Sequence, residues 1–333
     1  MAINRVEIKD FLVFKGEFSV DFCPGVNVLI GANATGKTTL MKVIYCFGSK
    51  HNWCSYFYNN INEIDCGKCD EEIRNTEITL QRDGVTIQGN LTGMGLNRRS
   101  MHYASLSDYE DSWTDGKQEI SRVYIPEKDM LSNSHSLPET WESKLLSFNR
   151  CEIDIIKKSR VAGERTPQPL VRKIFNVIGG DVECDGQVFY IVRNGKKIEF
   201  SAEASGFRKL GLLAALIRNE QIKKGSILFW DEPENSLNPE LVPVLVEILL
   251  ELQSNGVQIF LATHNYNLAR YFDIKKSDVN SVMFFNLSKT ENGSIECVSS
   301  SEYTNLSENV LEKAGEKLFN AVVANAMGIQ DDE

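Results

Sequence analysis

Val26-Asn27-Val28-Leu29-Ile30, running straight into Gly31-Ala32-Asn33-Ala34-Thr35-Gly36-Lys37-Thr38-Thr39, is the stretch on which the reading of this 333-residue chain turns. The first five residues are mostly apolar and follow Pro24-Gly25, the pattern of a strand buried on both faces in a parallel sheet. The next nine fit Gly-x4-Gly-Lys-Thr, and a helical apolar period then runs through Phe47. A strand before and a helix after is the context in which this pattern binds phosphate. The glycines let backbone N–H groups wrap an anion, and the helix start adds a favourable dipole. Asn33, Ala34, Thr35, Gly36, Lys37, Thr38 and Thr39 are therefore expected to hold ATP. Lys37 would serve the β/γ-phosphates, and Thr38 would reach Mg2+.

Working outward, Ser226-Ile227-Leu228-Phe229-Trp230 is a second buried strand, and it delivers Asp231-Glu232-Pro233 to its C-terminal end. Ligands of open α/β sheets sit at that end. Asp231 is expected to hold Mg2+, directly or through water, and Glu232 to orient and deprotonate an attacking water. His264 follows the strand Gln258–Ala262 in the same way and is placed to meet the γ-phosphate and the water. Alone, the acidic pair reads equally as a strand-end turn and the histidine as structural. Their company with the phosphate loop favours chemistry.

Composition bounds the rest. With 36 Lys plus Arg against 46 Asp plus Glu, the formal charge is −10; 42% of residues are apolar and 25% charged. This is ordinary globular usage and excludes disordered, collagen-like and disulfide-miniprotein classes. A surface coated in basic charge for nucleic acid is disfavoured, although a local basic groove stays open. No apolar run approaches the ~20 residues of a membrane helix. The opening MAINRVEIKDF lacks the apolar core of a signal peptide, and the eight cysteines read as reduced thiols of a cytoplasmic protein.

Along the chain, strands are expected at 5–14, 16–22, 26–30, 122–125, 187–192, 196–200, 226–230, 258–262, 282–287 and 295–298. Helices are expected at 138–158, 169–177, 204–219, 239–254 and 307–327. Asn194-Gly195 marks a tight hairpin. Residues 49–121 are polar and rich in Asn, Gly and Ser, with short strands at 76–82 and 85–89, and read as an inserted loop- and β-rich lobe. Strands alternating with helices give an α/β class with a mostly parallel core sheet, antiparallel N-terminal strands and a helical lobe.

The phosphate loop, Asp231-Glu232-Pro233-Glu234-Asn235-Ser236-Leu237-Asn238-Pro239 and Ala262-Thr263-His264-Asn265 together resemble an ABC-type ATPase head. The branch is the one that includes RecF, SMC and OLD-type proteins, prokaryotic AAA-family ATP-binding proteins. Ile8-Lys9-Asp10-Phe11 ahead of the loop fits the same opening. The resemblance implies a P-loop NTPase head from residues 1–48 and 122–300, with a helical lobe at about 138–178, followed by a C-terminal helix and acidic tail at 301–333. It implies a Q-loop at Val123-Tyr124-Ile125-Pro126-Glu127, with Glu127 where a glutamine is usual. Ser205-Gly206, within Ala204-Ser205-Gly206-Phe207-Arg208-Lys209, resembles the signature that closes over a partner's ATP, although Ser205 also reads as a plain helix cap. Ser236 and Asn238 fall in the D-loop, Asn238 where transporters carry aspartate.

The same resemblance implies a homodimer that sandwiches two ATP molecules. The expected role is a regulatory or sensor subunit of a prokaryotic defence or toxin system, working with a nuclease or toxin effector. A RecF-like DNA-repair ATPase and a slow nucleotide-gated scaffold are the alternatives. Nucleic acid is a further candidate partner, through Lys157-Lys158-Ser159-Arg160, Arg172-Lys173 and Arg193-x-x-Lys196-Lys197, although these read first as solvated charge on helix and hairpin faces. His51, Cys54, Cys66 and Cys69 have the paired spacing of a structural zinc site, or are ordinary reduced cysteines beside a histidine.

Overall fold

The computed structural model describes residues 2–47, 54–57, 76–83, 85–91, 114–115, 118–132, 134–135, 137–142, 148–160, 168–307 and 309–327. Its strands are β1 Ile3–Phe11, β2 Phe14–Asp21, β3 Val26–Gly31, β4 Thr76–Arg82, β5 Val85–Leu91, β6 Thr114–Asp115, β7 Gln118–Glu119, β8 Arg122–Ile125, β9 Asp181–Asp185, β10 Val188–Arg193, β11 Lys196–Glu199, β12 Ile227–Asp231, β13 Gln258–Ala262, β14 Val282–Lys289 and β15 Ile295–Ser300. Its helices are α1 Lys37–Cys46, α2 Cys54–Phe57, α3 Leu137–Glu142, α4 Arg150–Arg160, α5 Pro169–Ile178, α6 Ser205–Arg218, α7 Val242–Ser254, α8 Tyr266–Lys275 and α9 Val310–Ala326.

Six strands form the central sheet in the order β15-β14-β3-β13-β12-β8. All neighbours in it run parallel except β15, which is antiparallel to β14. The apolar runs are buried on both sides because alternate residues feed two cores. On β3, Val26, Val28 and Ile30 join one core and Leu29 the other; on β12, Leu228 and Trp230 face Ile227 and Phe229 across the sheet. The first core is covered by α5, α6 and α7, and the second by α1 and the N-terminal strands.

The N-terminal strands make an antiparallel sheet of order β2-β1-β4-β5. The strands expected near 76–82 and 85–89 belong to it: β4 pairs with β1, so this part of the 49–121 segment extends the N-terminal sheet. Gln258, at the start of β13, holds this sheet to the central one. Its amide accepts from the Ile3 N–H at 2.8 Å and donates to the carbonyls of Ile3 at 2.9 Å and Cys23 at 2.8 Å, all buried.

Several expected boundaries move, each for a local reason. β1 stops at Phe11, not Phe14, because Leu12 turns with φ 51° and leaves Val13 at the tip. The single helix expected over 138–158 is two, α3 and α4. The second starts where Asn149 and Glu152 bond reciprocally to each other's N–H at 3.2 and 2.9 Å, a capping box. β9 and α8 were not expected. The hairpin β10–β11 turns at Asn194 and Gly195 with φ 50° and 76°, as the Asn-Gly pair predicts. Among the described residues no helix is long and apolar enough to cross a membrane.

Candidate nucleotide site

The loop between β3 and α1 is shaped by three residues with positive φ: Gly31 at 142°, Ala34 at 62° and Gly36 at 90°. A Cβ on Gly31 would overlap the Leu287 carbonyl, and one on Gly36 would lie 2.8 Å from Val13 Cγ2. Within the loop Thr35 Oγ1 donates to the Ala32 carbonyl at 2.9 Å. Lys37 Nζ lies inside the curve and donates to the carbonyls of Gly31 and Ala32, each at 2.9 Å. Burial lowers its pKa to about 8, against the opposing pull of Glu232 and Asp231.

Parallel pairing brings the strand ends into line, Asp231 on β12 opposite Ala262 on β13. Thr38 Oγ1 donates to both Asp231 carboxylate oxygens, at 2.9 and 3.1 Å. Tyr124, on neighbouring β8, donates its hydroxyl to the same carboxylate at 3.1 Å. Burial raises the Asp231 pKa, and these two hydrogen bonds oppose it. The group is thus a carboxylate braced by two hydroxyls, a hard-oxygen set that suits Mg2+. Thr38 and Asp231 would supply protein ligands, with nucleotide oxygens and water completing the shell. Among the described residues no group of three or more His, Cys, Asp or Glu forms a metal centre by itself.

Glu232 holds φ 47°, a left-handed conformation rare outside glycine and concentrated at functional sites. Its N–H donates to the Ala262 carbonyl, while its own carbonyl accepts from Lys209 Nζ at 2.9 Å. The His264 N–H donates to Glu232 Oε2 at 3.3 Å, and His264 Nε2 lies 3.5 Å from Oε1. Burial, and then the nearby Glu234 carboxylate, pushes Glu232 up to about 8, into the range of a base poised near neutral pH. Burial and Lys37 lower the pKa of His264, which is neutral there. Thr263 donates to the buried Glu234 and accepts from the Asn265 N–H, and Asn265 caps α8. The histidine therefore sits on a backbone fixed from both sides.

These groups line one cavity of about 760 Å3: Gly31 to Ala34, Gly36 to Thr39, Glu127, Asp231, Glu232, Asn235 and His264, with Val13, Val310 and Leu311 completing the wall. The volume is that of a small-molecule site. Glu127 lines it too and accepts from Asn235 Nδ2 at 2.8 Å. Ser205, Gly206, Ser236 and Asn238 do not line it. Ser205 Oγ donates to the Ser236 carbonyl at 3.0 Å, and Gly206 packs on Leu237. Ala204, not Ser205, occupies the cap position of α6, so the plain-cap reading of Ser205 is corrected. Asn238 caps the following turn, accepting from the Glu240 N–H at 3.1 Å.

Sequence reasoning missed Tyr124, Lys209 and the pair Val310 and Leu311 as site residues. A tyrosine in a fully buried strand needs a hydroxyl partner, which was the available signal for Tyr124. Nothing in the local sequence announced the others. Of the zinc-spaced residues, His51, Cys66 and Cys69 lie outside the described residues, as does the side chain of Cys54.

Comparison with known proteins follows this geometry. Residues 96–270, more than half of the chain, match the family model described as "AAA domain, putative AbiEii toxin, Type IV TA system". The chain belongs to this AAA-domain family. Residues 1–137 of the AAA-domain chain also match a model described as "AAA ATPase domain". Two curated relatives are the DNA replication and repair proteins RecF of Oenococcus oeni, 36% identical over 89 residues, and Lactobacillus gasseri, 51% identical over 45. These matches cover 23% and 14% of the chain, and 24% and 12% of the relatives, so the chain matches a quarter or less of their length.

Among solved structures, the SMC head domain from Thermotoga maritima matches with TM-score 0.51 and 16% identity, over 90% of this chain and 99% of that one. The SMC head domain of Pyrococcus furiosus, bound to the C-terminal domain of ScpA, gives TM-score 0.56 and 14% identity, over 96% and 99%. The AAA-domain chain therefore has the fold of an SMC head domain, the ATPase-head fold its motifs implied.

Proposed function

We propose that this AAA-domain chain binds MgATP in the cavity described and hydrolyses it, as an ABC-type ATPase working as an ATP-sandwich dimer. The observation that carries the reading is the joined strand ends: the Thr38 and Tyr124 hydroxyls on Asp231, and beside them Glu232, left-handed and in contact with His264. The P-loop amides and Lys37 bind and orient the phosphates. Lys37 exchanges its bonds to two loop carbonyls for phosphate oxygens. Glu232 aligns a water and takes its proton, and His264 stays neutral as a hydrogen-bond partner at the γ-phosphate end. Bound Mg2+ supplies charge neutralisation on the phosphate oxygens. In this reading Ser205 and Gly206, outside the cavity and at the start of α6, would serve a second copy's ATP, with Ser236 and Asn238 in the D-loop.

Glu232→Gln is expected to keep MgATP binding, to lose hydrolysis by ~10²–10⁴-fold, and to accumulate an ATP-dependent dimer by light scattering. A wild-type rate in this variant would remove Glu232 as the base.

In the cell we propose a cytoplasmic regulatory ATPase paired with a toxin or nuclease effector. The toxin–antitoxin wording of the matched family supports that reading. Similarity to RecF supports DNA repair as a second reading, but the basic clusters weigh against it. Lys157 pairs with Glu142, Arg160 with Glu139, Lys173 with Glu247 and Glu251, Arg193 with Glu203, and Lys197 with Glu183 and Asp185. Hydrolysis stimulated by DNA, lost on raising salt, would restore it.

A further inference from the structure

The walls of the cavity differ in chemistry. Along most of its length they are backbone amides, hydroxyls, Lys37 and carboxylates, the groups a triphosphate requires. One wall is different: Val13, at the tip of the β1–β2 turn, with Val310 and Leu311 from the first turn of α9. None of these three side chains can hydrogen-bond, and nothing in the phosphate chemistry uses them.

Their placement follows from the strand order. The phosphate loop leaves β3; Asp231, Glu232 and His264 come from β12 and β13, on one side of it. A triphosphate lying on the loop with its terminal phosphate at those groups has its other end away from them. On the other side of β3 are β14 and β15, and α9 follows β15 in the chain. The apolar wall thus stands away from the carboxylates, where the nucleoside end of the ligand falls.

The wall is also held in place. The buried Tyr303 packs its ring against Phe284 of β14 and against Tyr266. Asn286 of β14 donates to the Ser307 carbonyl at 3.1 Å. Asn309, itself buried, caps α9 by accepting from the N–H groups of Leu311 at 3.1 Å and Glu312 at 3.4 Å. The two residues that meet the cavity are the first two of the helix and are fixed by this cap. Val310 and Leu311 are themselves half-buried, and Leu311 also packs against the main core.

We propose that Val310 and Leu311, with Val13, form the surface on which the base and ribose of the nucleotide pack, making the C-terminal helix part of the nucleoside site. The inference rests on the nucleotide-binding reading above. An apolar wall recognises the faces of a base and not its hydrogen-bonding edges, so it favours a purine for its area and does not itself separate adenine from guanine.

The test compares two ligands on the same protein: MgATP, which has a nucleoside, and inorganic tripolyphosphate with Mg2+, which does not. By calorimetry, Leu311→Ala is expected to weaken MgATP about five- to tenfold, the effect of losing part of one apolar side chain from a contact. Tripolyphosphate affinity should stay unchanged, and Leu311→Met should restore MgATP binding. Should Leu311→Ala not fold, the double variant Val13→Ala/Val310→Ala gives the same ratio. An unchanged MgATP affinity, or equal losses for the two ligands, overturns the proposal. Lys37→Ala separates the premise: if it leaves both ligands bound as in wild type, the phosphate-loop reading itself has failed.

Discussion

Methionine in place of Lys37 keeps most of the side chain's length and removes its charge. Lys37 is 5% exposed, and its ammonium bonds to two loop carbonyls, with no carboxylate among the described residues paired to it. Its pKa falls from the ordinary 10.5 to about 8. Each step of one in pKa is worth ~1.36 kcal/mol, so keeping the charge here costs roughly 3 kcal/mol. Losing the two carbonyl bonds gives back roughly 1–2 kcal/mol. The variant should therefore be more stable than wild type without nucleotide, by about 1–2 kcal/mol. In a protein of this size that is a few degrees of Tm.

The pH dependence has a definite sign. Below about pH 8 the lysine is charged in folded and unfolded chains alike, and the folded state carries the full cost. Between pH 8 and 10.5 the folded chain sheds its proton first and the cost is relieved. Thermal melts without nucleotide should show the Lys37→Met advantage in full at pH 7 and reduced at pH 9.5. Added MgATP should raise the wild-type Tm and leave the variant's unchanged. A variant that melts at or below wild type at pH 7, or whose advantage is the same at both pH values, would refute the reasoning.

Other substitutions probe the frame around the site. Gly25→Ala puts a Cβ into the Ser281 carbonyl, which Val26 N–H already uses at 2.8 Å, while the Gly25 carbonyl is held by Ile259 N–H at 2.9 Å. With backbone fixed on both sides, a loss of about 3 kcal/mol or more is expected in urea titration. Gly195→Ala, at φ 76° with open space around its Cβ, meets only backbone strain and should cost about 1 kcal/mol in the same assay. Tyr124→Phe removes one hydroxyl from Asp231. It should raise the Mg2+ concentration needed for half-maximal hydrolysis several-fold, and an unshifted Mg2+ titration would count against that role.

The central sheet was legible in the chain because parallel strands buried on both faces are written as apolar runs, and 26–30, 226–230 and 258–262 are such runs. The phosphate loop and strand-end carboxylates were legible because their geometry is local: a few consecutive residues carry both the turn and the chemistry. What escaped was non-local. Tyr124 reaches Asp231 across a strand pair, Lys209 reaches the Glu232 carbonyl from a helix, and Val310 and Leu311 arrive at the cavity from the far end of the chain. The break between α3 and α4 was missed for a different reason. Asn149 and Glu152 spell a capping box, but an apolar period running across the region hid it.

The amide of Gln258 has a consequence for how the molecule opens. A single side chain bonds the backbone of Ile3 in both directions and also the carbonyl of Cys23. The N-terminal sheet therefore cannot peel from the central one by fraying residue by residue, since all three bonds break together and strand a buried amide. Although Ile3 is near the chain terminus, its N–H should exchange with solvent deuterium at the rate set by global unfolding, as slowly as the amides of β3. The two sheets, different in strand direction and in sequence origin, form one cooperative unit.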